Sequence, residues 1–246
     1  MKRSPSSPTS ATAAQILQEL KSLGRESYKR VLMKNHGACE PIDGVPISEL
    51  KKILKRVGPN YELALELYDT GHYDARYLAG LMADDVRMTE RDLQHWVNTA
   101  QGRSQLGCTL PWVAASSPHG LTLARRWIDS ASADEQEAGW ATWSSLVSVK
   151  PDADLDLPEL KRLMKRVLRD LCKAPDRVRY QMNGFLIAAG CYVAELTPLA
   201  LEIADELGPV EADLGPNSCE VPLASAYIRN VQKRGTIGRK RKSAKC

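Results

Sequence analysis

The chain has 246 residues, 43% hydrophobic and 26% charged, with a net charge of +4 and a mean hydropathy of −0.34. That apolar content is enough for one domain, as an extended stack or a large bundle, and no apolar run approaches the roughly 20 residues that cross a bilayer, which excludes an integral membrane helix. Six cysteines, Cys39, Cys108, Cys172, Cys191, Cys219 and Cys246, are scattered without a CxxC pair or a close histidine, so neither a zinc site nor a disulfide frame is expected.

In chain order, residues 1–12 (MKRSPSSPTSAT) lack the apolar stretch of a signal peptide and are expected to be a disordered lead to an intracellular, cytoplasmic protein, nucleoid-associated if bacterial. From residue 13 to 233 apolar residues recur at helical spacing, and no alternating strand is found. The helices are expected at 13–23, 26–35, 46–57, 60–69, 73–83, 89–99, 103–114, 118–129, 132–148, 157–172, 175–190, 197–207 and 221–233. Helix-ending residues such as Gly37, Gly58-Pro59, Pro151, Pro175 and Gly208-Pro209 separate them. Ser48 and Thr89 are expected N-caps, each with an acid in the turn that follows. Helices of this length on short loops pack as antiparallel pairs, and stacked pairs form a curved solenoid. The expected fold is therefore all-α, one curved repeat domain of twelve to thirteen helices over 13–233.

Charge is concentrated in two places. On the helix 157–172, Leu160, Leu163, Met164, Val167, Leu168 and Leu171 mark one face, and Lys161, Arg162, Lys165, Arg166 and Arg169 the other. No acid is interleaved among these five bases, so an anionic polymer is the expected partner, a solvated surface being the plainer reading. From Arg229 to the end there are eight bases and no acid, which leaves the preceding residues net negative. The stretch 234–246, with Arg239, Lys240, Arg241 and Lys242, has no apolar periodicity. It is expected to be a disordered cationic tail that binds phosphates or merely aids solubility.

The runs GVPISELKKILKRVG at 44–58 and LALELYDTGHYDARYLAGLMADD at 63–85, with Leu67-Tyr68 closing one helix and Asp74-Ala75-Arg76 opening the next, resemble the AlkD-like DNA alkylation repair family. Trp127, the helix from Glu135 through Trp140, RYQMNGFLIAAGCYV at 179–193 and VEADLGPNSCEVPLASAYI at 210–228 extend the resemblance to about 26–233. The resemblance implies a HEAT-like helical repeat whose concave basic surface holds duplex DNA. In the family's glycosylases a carboxylate stabilises the cationic sugar formed as an alkylated purine leaves, two tryptophans contact the damaged nucleotide, and an arginine assists binding.

Carried onto this sequence, the resemblance puts the catalytic carboxylate at Gln105, one tryptophan at Phe185 and the arginine at Glu137. A neutral amide cannot supply the charge stabilisation of a carboxylate, so the expectation is a monomeric protein that binds duplex or branched DNA with degenerate or absent glycosylase activity. Asp129, Asp134, Glu135 or Glu137 are the carboxylates an active enzyme with a rearranged site would recruit; a protein-interaction scaffold is the third reading. Trp96, Trp112, Trp127, Trp140 and Trp143 are expected mainly in the core, with at most one or two on a nucleic-acid surface. His36, His72, His95 and His119 stand in no metal-ligand spacing, and no phosphate loop or dinucleotide fingerprint occurs, so no metal and no cofactor are expected.

Overall fold

The expected helical periods are realised in the computed structural model, which describes residues 11–215 and 220–245. Among them are thirteen α-helices and no strand: α1 (Ala13–Leu23), α2 (Glu26–His36), α3 (Ile47–Val57), α4 (Tyr61–Asp69), α5 (Tyr73–Met82), α6 (Glu90–Thr99), α7 (Leu110–Ser116), α8 (Gly120–Ile128), α9 (Ala133–Val149), α10 (Leu157–Asp170), α11 (Asp176–Tyr192), α12 (Thr197–Leu207) and α13 (Ala224–Lys233). All but two residues of the expected lead lie outside the described part, as do Cys219 and Cys246. Thr12 caps α1 reciprocally with Gln15.

Local chemistry sets the ends. Thr89 forms a capping box with Asp92 at the start of α6, as expected. Ser48 does not cap α3, because that helix already starts at Ile47 behind Pro46, whose fixed φ of −59° suits the entry. Gly37 ends α2 in the left-handed region at φ 62°, with its N–H returned to Leu32 O.

Helices α5, α7, α9, α11 and α13 succeed one another as packed neighbours, and α4, α6, α8, α10 and α12 lie against them. The 17-residue helices α9 and α11 form the central pair and are apolar on more than one side because each is packed from more than one direction. Two large cores result, one gathered on α1 and α3 to α7, the other on α9 to α13, with α8 contributing to both, and Ala38, Ile42 and Tyr73 form a small third cluster. All five tryptophans are buried, so none is offered to a nucleic acid; Trp140 and Trp143 close on Phe185 with ring centroids 5.3 and 6.4 Å away. Cys191 is buried as expected, whereas Cys172 falls on the exposed turn after α10.

The expected helix 103–114 is one continuous helical run over 103–116, but it is not a regular α-helix throughout. Pro111 lacks an N–H, and its ring would collide with the carbonyl four residues back, so the chain widens ahead of it into a π turn at Gln105–Thr109, closed by Leu110 N–H on Gln105 O. Gly80 on α5 admits this turn: a Cβ there would lie 2.0 Å from Thr109 Cγ2.

Residues 234–245, expected as a disordered arm, instead run back across the molecule as a strap. Gly238 N–H donates to Cys191 O (2.9 Å) and Arg241 N–H to Ser148 O (2.8 Å). Lys240 Nζ reaches Val147 O (2.8 Å) and Asp152 (2.7 Å), and Lys245 Nζ reaches Ala83 O (3.0 Å) and Asp85 (2.8 Å). These anchors fall at the C-terminal ends of α11, α9 and α5, where unpaired carbonyls and the negative end of the helix dipole attract cations. Ala244 is buried in the first core.

Candidate nucleic-acid interface

The π turn decides which side chains face the open side of the fold. It turns Gln105 inward, where its Oε1 accepts from Gln101 N–H (2.7 Å) and from Arg76 Nη1 (3.3 Å). Arg76 is itself buried, with its Nε on Tyr68 O (2.9 Å) and its guanidinium over the Tyr68 ring. Asp74 accepts the N–H groups of Asp43, Gly44 and Val45 at 2.9, 3.0 and 3.0 Å. The residues that carry the family resemblance at 67–76 therefore fix the loop before α3 and the π turn.

On the other side of that turn, Arg103, Ser104, Gly107 and Cys108 line a cleft of about 400 Å³, together with His36 from α2, Glu137 and Ser144 from α9, and Arg177, Tyr180, Gln181 and Asn183 from α11. Glu137 forms its floor and is only 2% exposed. Arg177 Nε lies 3.0 Å from Glu137 Oε2, an ion pair without hydrogen-bond alignment, and Gln181 hydrogen-bonds the carboxyl. Burial pushes this carboxyl up to about 7, against the opposing pull of Arg177 and Arg103. Near neutrality the floor thus both donates and accepts, with two guanidinium groups close by. Gly107 leaves room for this arrangement, since a Cβ there would meet Gln181 Nε2 at 2.6 Å.

A second, more open cleft of about 650 Å³ lies between α11, α13 and the strap, and it meets the first at Gly184 and Ile187, which line both. Its rim carries Arg239, Arg241 and Lys242, all exposed, beside Tyr192 and Tyr227.

The sequence-predicted site residues divide accordingly. Glu137 reaches a cleft, Gln105 and Phe185 are enclosed in the interior, and Arg239, Lys240, Arg241 and Lys242 come to the second cleft through the strap. The five bases of α10 line neither cleft. Acids from other elements neutralise two of them, Lys161 pairing with Glu195 at 2.8 Å and Arg166 with Asp129, and Asp170 at the end of α10 itself pairs with Arg169 at 2.7 Å. Arg162 and Lys165 carry no ion pair among the described residues. Sequence reasoning missed Arg103, Arg177 and Gln181; the signal for the last two is their i, i+4 spacing on one face of α11.

Successively packed helices flanked by two confluent clefts define an all-α helical repeat protein. The chain matches the model of the DNA alkylation repair enzyme family over residues 16–206, and it belongs to that family. It is 32% identical to an uncharacterized protein of Listeria innocua and 31% identical to one of Listeria monocytogenes, in each case over 91% of this chain and 98% of the relative. It is also similar to a solved structure, at 32% identity and a TM-score of 0.89 over 96% of this chain and all of that one. That structure is described as a new family of proteins related to the HEAT-like repeat DNA glycosylases with affinity for branched DNA structures. The HEAT-like expectation for the fold is thereby met.

Proposed function

We propose that this protein binds DNA, branched DNA in preference to plain duplex, over the surface that contains the two clefts, and that it does not excise alkylated bases. The observation that carries the first half is the near-complete structural match to a protein with affinity for branched DNA, combined with unpaired cations on the strap beside the second cleft. Long-range attraction to phosphates and counterion release favour such a surface. The second half rests on the fate of the three family-equivalent positions. Gln105 is a neutral amide bonded to Arg76, Phe185 is closed among tryptophans, and the Glu137 carboxyl is enclosed and faces Arg177. None offers a free carboxylate to a developing sugar cation, which is the interaction that would lower the barrier.

Fluorescence anisotropy with blunt duplex, three-way and four-way junctions across a salt series tests the binding. The reading requires junctions to bind more tightly and every affinity to fall with salt; no salt-dependent binding at micromolar protein overturns it. Incubation with methylated DNA tests the chemistry, and base release above spontaneous depurination refutes the second half.

A further inference from the structure

The strap is a cationic segment whose Lys240 and Lys245 reach carbonyls 93 and 162 residues distant in sequence. Its side chains divide between two roles. Lys240 and Lys245 are partly buried and turned inward to Asp152, Val147 O, Asp85 and Ala83 O, so they act as pins. Arg239, Arg241 and Lys242 are exposed along the cleft and carry no ion pair among the described residues. A free tail would hold these charges in no fixed place; the pins set them in a row.

Facing this row is an aromatic pair. Tyr227 on α13 is 50% exposed, and Tyr192 at the end of α11 is half-buried, near enough to Arg241 for its hydroxyl to feel the guanidinium charge. Cations following a backbone beside flat rings are what an unpaired nucleic-acid strand requires: phosphates meet the cations, and each free base has a face to stack. Bases inside a duplex offer no such face. We propose that the strap cleft is a subsite for a single-stranded DNA segment, with Arg239, Arg241 and Lys242 on its phosphates and a base stacked on Tyr227. Because the two clefts meet at Gly184 and Ile187, a strand held here continues onto the surface around Glu137. This rests on the DNA-binding reading above and assigns the part of a branched substrate that the strap takes.

The test is anisotropy on the full chain with three labelled probes: a blunt duplex, the same duplex carrying a single-stranded arm, and the armed duplex with the arm's bases removed to leave abasic sites. Wild type should bind the armed duplex most tightly. Tyr227→Ala should weaken that complex about fivefold or more, leaving the blunt duplex within about twofold, and Tyr227→Phe should retain the preference. The triple variant Arg239→Ala, Arg241→Ala, Lys242→Ala should weaken the armed complex and flatten its salt slope, whereas Arg162→Ala with Lys165→Ala on α10 should leave the arm preference intact. Thermal melts of each variant separate loss of binding from loss of folding. Equal binding of armed and abasic arms, or a Tyr227→Ala loss equal on armed and blunt duplex, overturns the stacking subsite while leaving DNA binding standing. Failure of every probe to bind would instead refute the DNA-binding reading itself.

Discussion

Glu137 and Arg177 meet on the floor of the first cleft, Oε2 to Nε 3.0 Å, with the carboxyl sealed from solvent and the guanidinium about one-third exposed. The sealing matters more to the acid than the cation does. Burial raises its folded value from 4.5 to about 7 despite Arg177, and ionising it inside the fold is therefore less favourable than in the unfolded chain. Between pH 4.5 and about 7 the folded state holds a proton that the unfolded state has lost, so this group's contribution to stability falls as pH rises and levels off above 7. At about 1.4 kcal/mol per pH unit, the full effect is on the order of 3 kcal/mol. Glu137→Gln should flatten that part of the stability profile, read by urea melts from about pH 4.5 to 8; a profile parallel to wild type would show that the carboxyl is not held protonated.

Asp74 gathers three successive backbone N–H groups and is itself buried. Asp74→Ala should cost about 3 kcal/mol, since buried donors are left without an acceptor. Asp74→Asn keeps one acceptor oxygen and should lose less. Equal melting temperatures for the two variants would contradict this account.

Gln105→Asp should not create a glycosylase. The side chain turns toward Arg76 and away from both clefts, so a carboxylate there forms an internal ion pair out of reach of any sugar. Release of 7-methylguanine by this variant would show that the π turn opens in the complex.

The strap should contribute to stability as well as to binding. Lys245→Ala leaves Asp85, a carboxyl that burial already pushes up, without its cation. A loss of about 1–2 kcal/mol follows, or a melting point lower by about 2–4 °C for each kcal/mol. Pairing the change with Asp85→Ala should recover part of it, as expected for residues in direct contact. Removal of 235–246 should therefore lower the melting temperature together with the DNA affinity.

Gly80→Ala tests the crossing of α5 and the π turn. The new methyl would overlap Thr109 Cγ2, at a cost of about 1–3 kcal/mol. Thr109→Ser, which removes that methyl, should restore most of the loss; without such rescue the clash is not what disfavours alanine there.

The helices were legible because their determinants are local. The apolar period, the Thr12 and Thr89 caps and the glycine and proline breaks each act within a few residues, and they place nearly every helix within a few residues of its observed ends. The π turn shows where this fails. The expected helix 103–114 passed through Pro111 without a break, and how the chain widened there depended on the space that Gly80 leaves beside Thr109.

Charge was legible only as an inventory. Along α10 the five bases have no acid interleaved, yet Glu195 and Asp129 approach Lys161 and Arg166 from other elements. Along the tail the absence of apolar periodicity suggested disorder, yet the acceptors that order it are the carbonyl ends of α5, α9 and α11. Periodicity, propensity and capping act over one or two turns, so the sequence by itself determined an all-helical repeat and its family resemblance. Electrostatic pairing and burial act through space between distant segments, and so only the tertiary structure decided that Gln105 faces inward, that Glu137 floors a cleft, and that the cations beside the clefts lie on the strap.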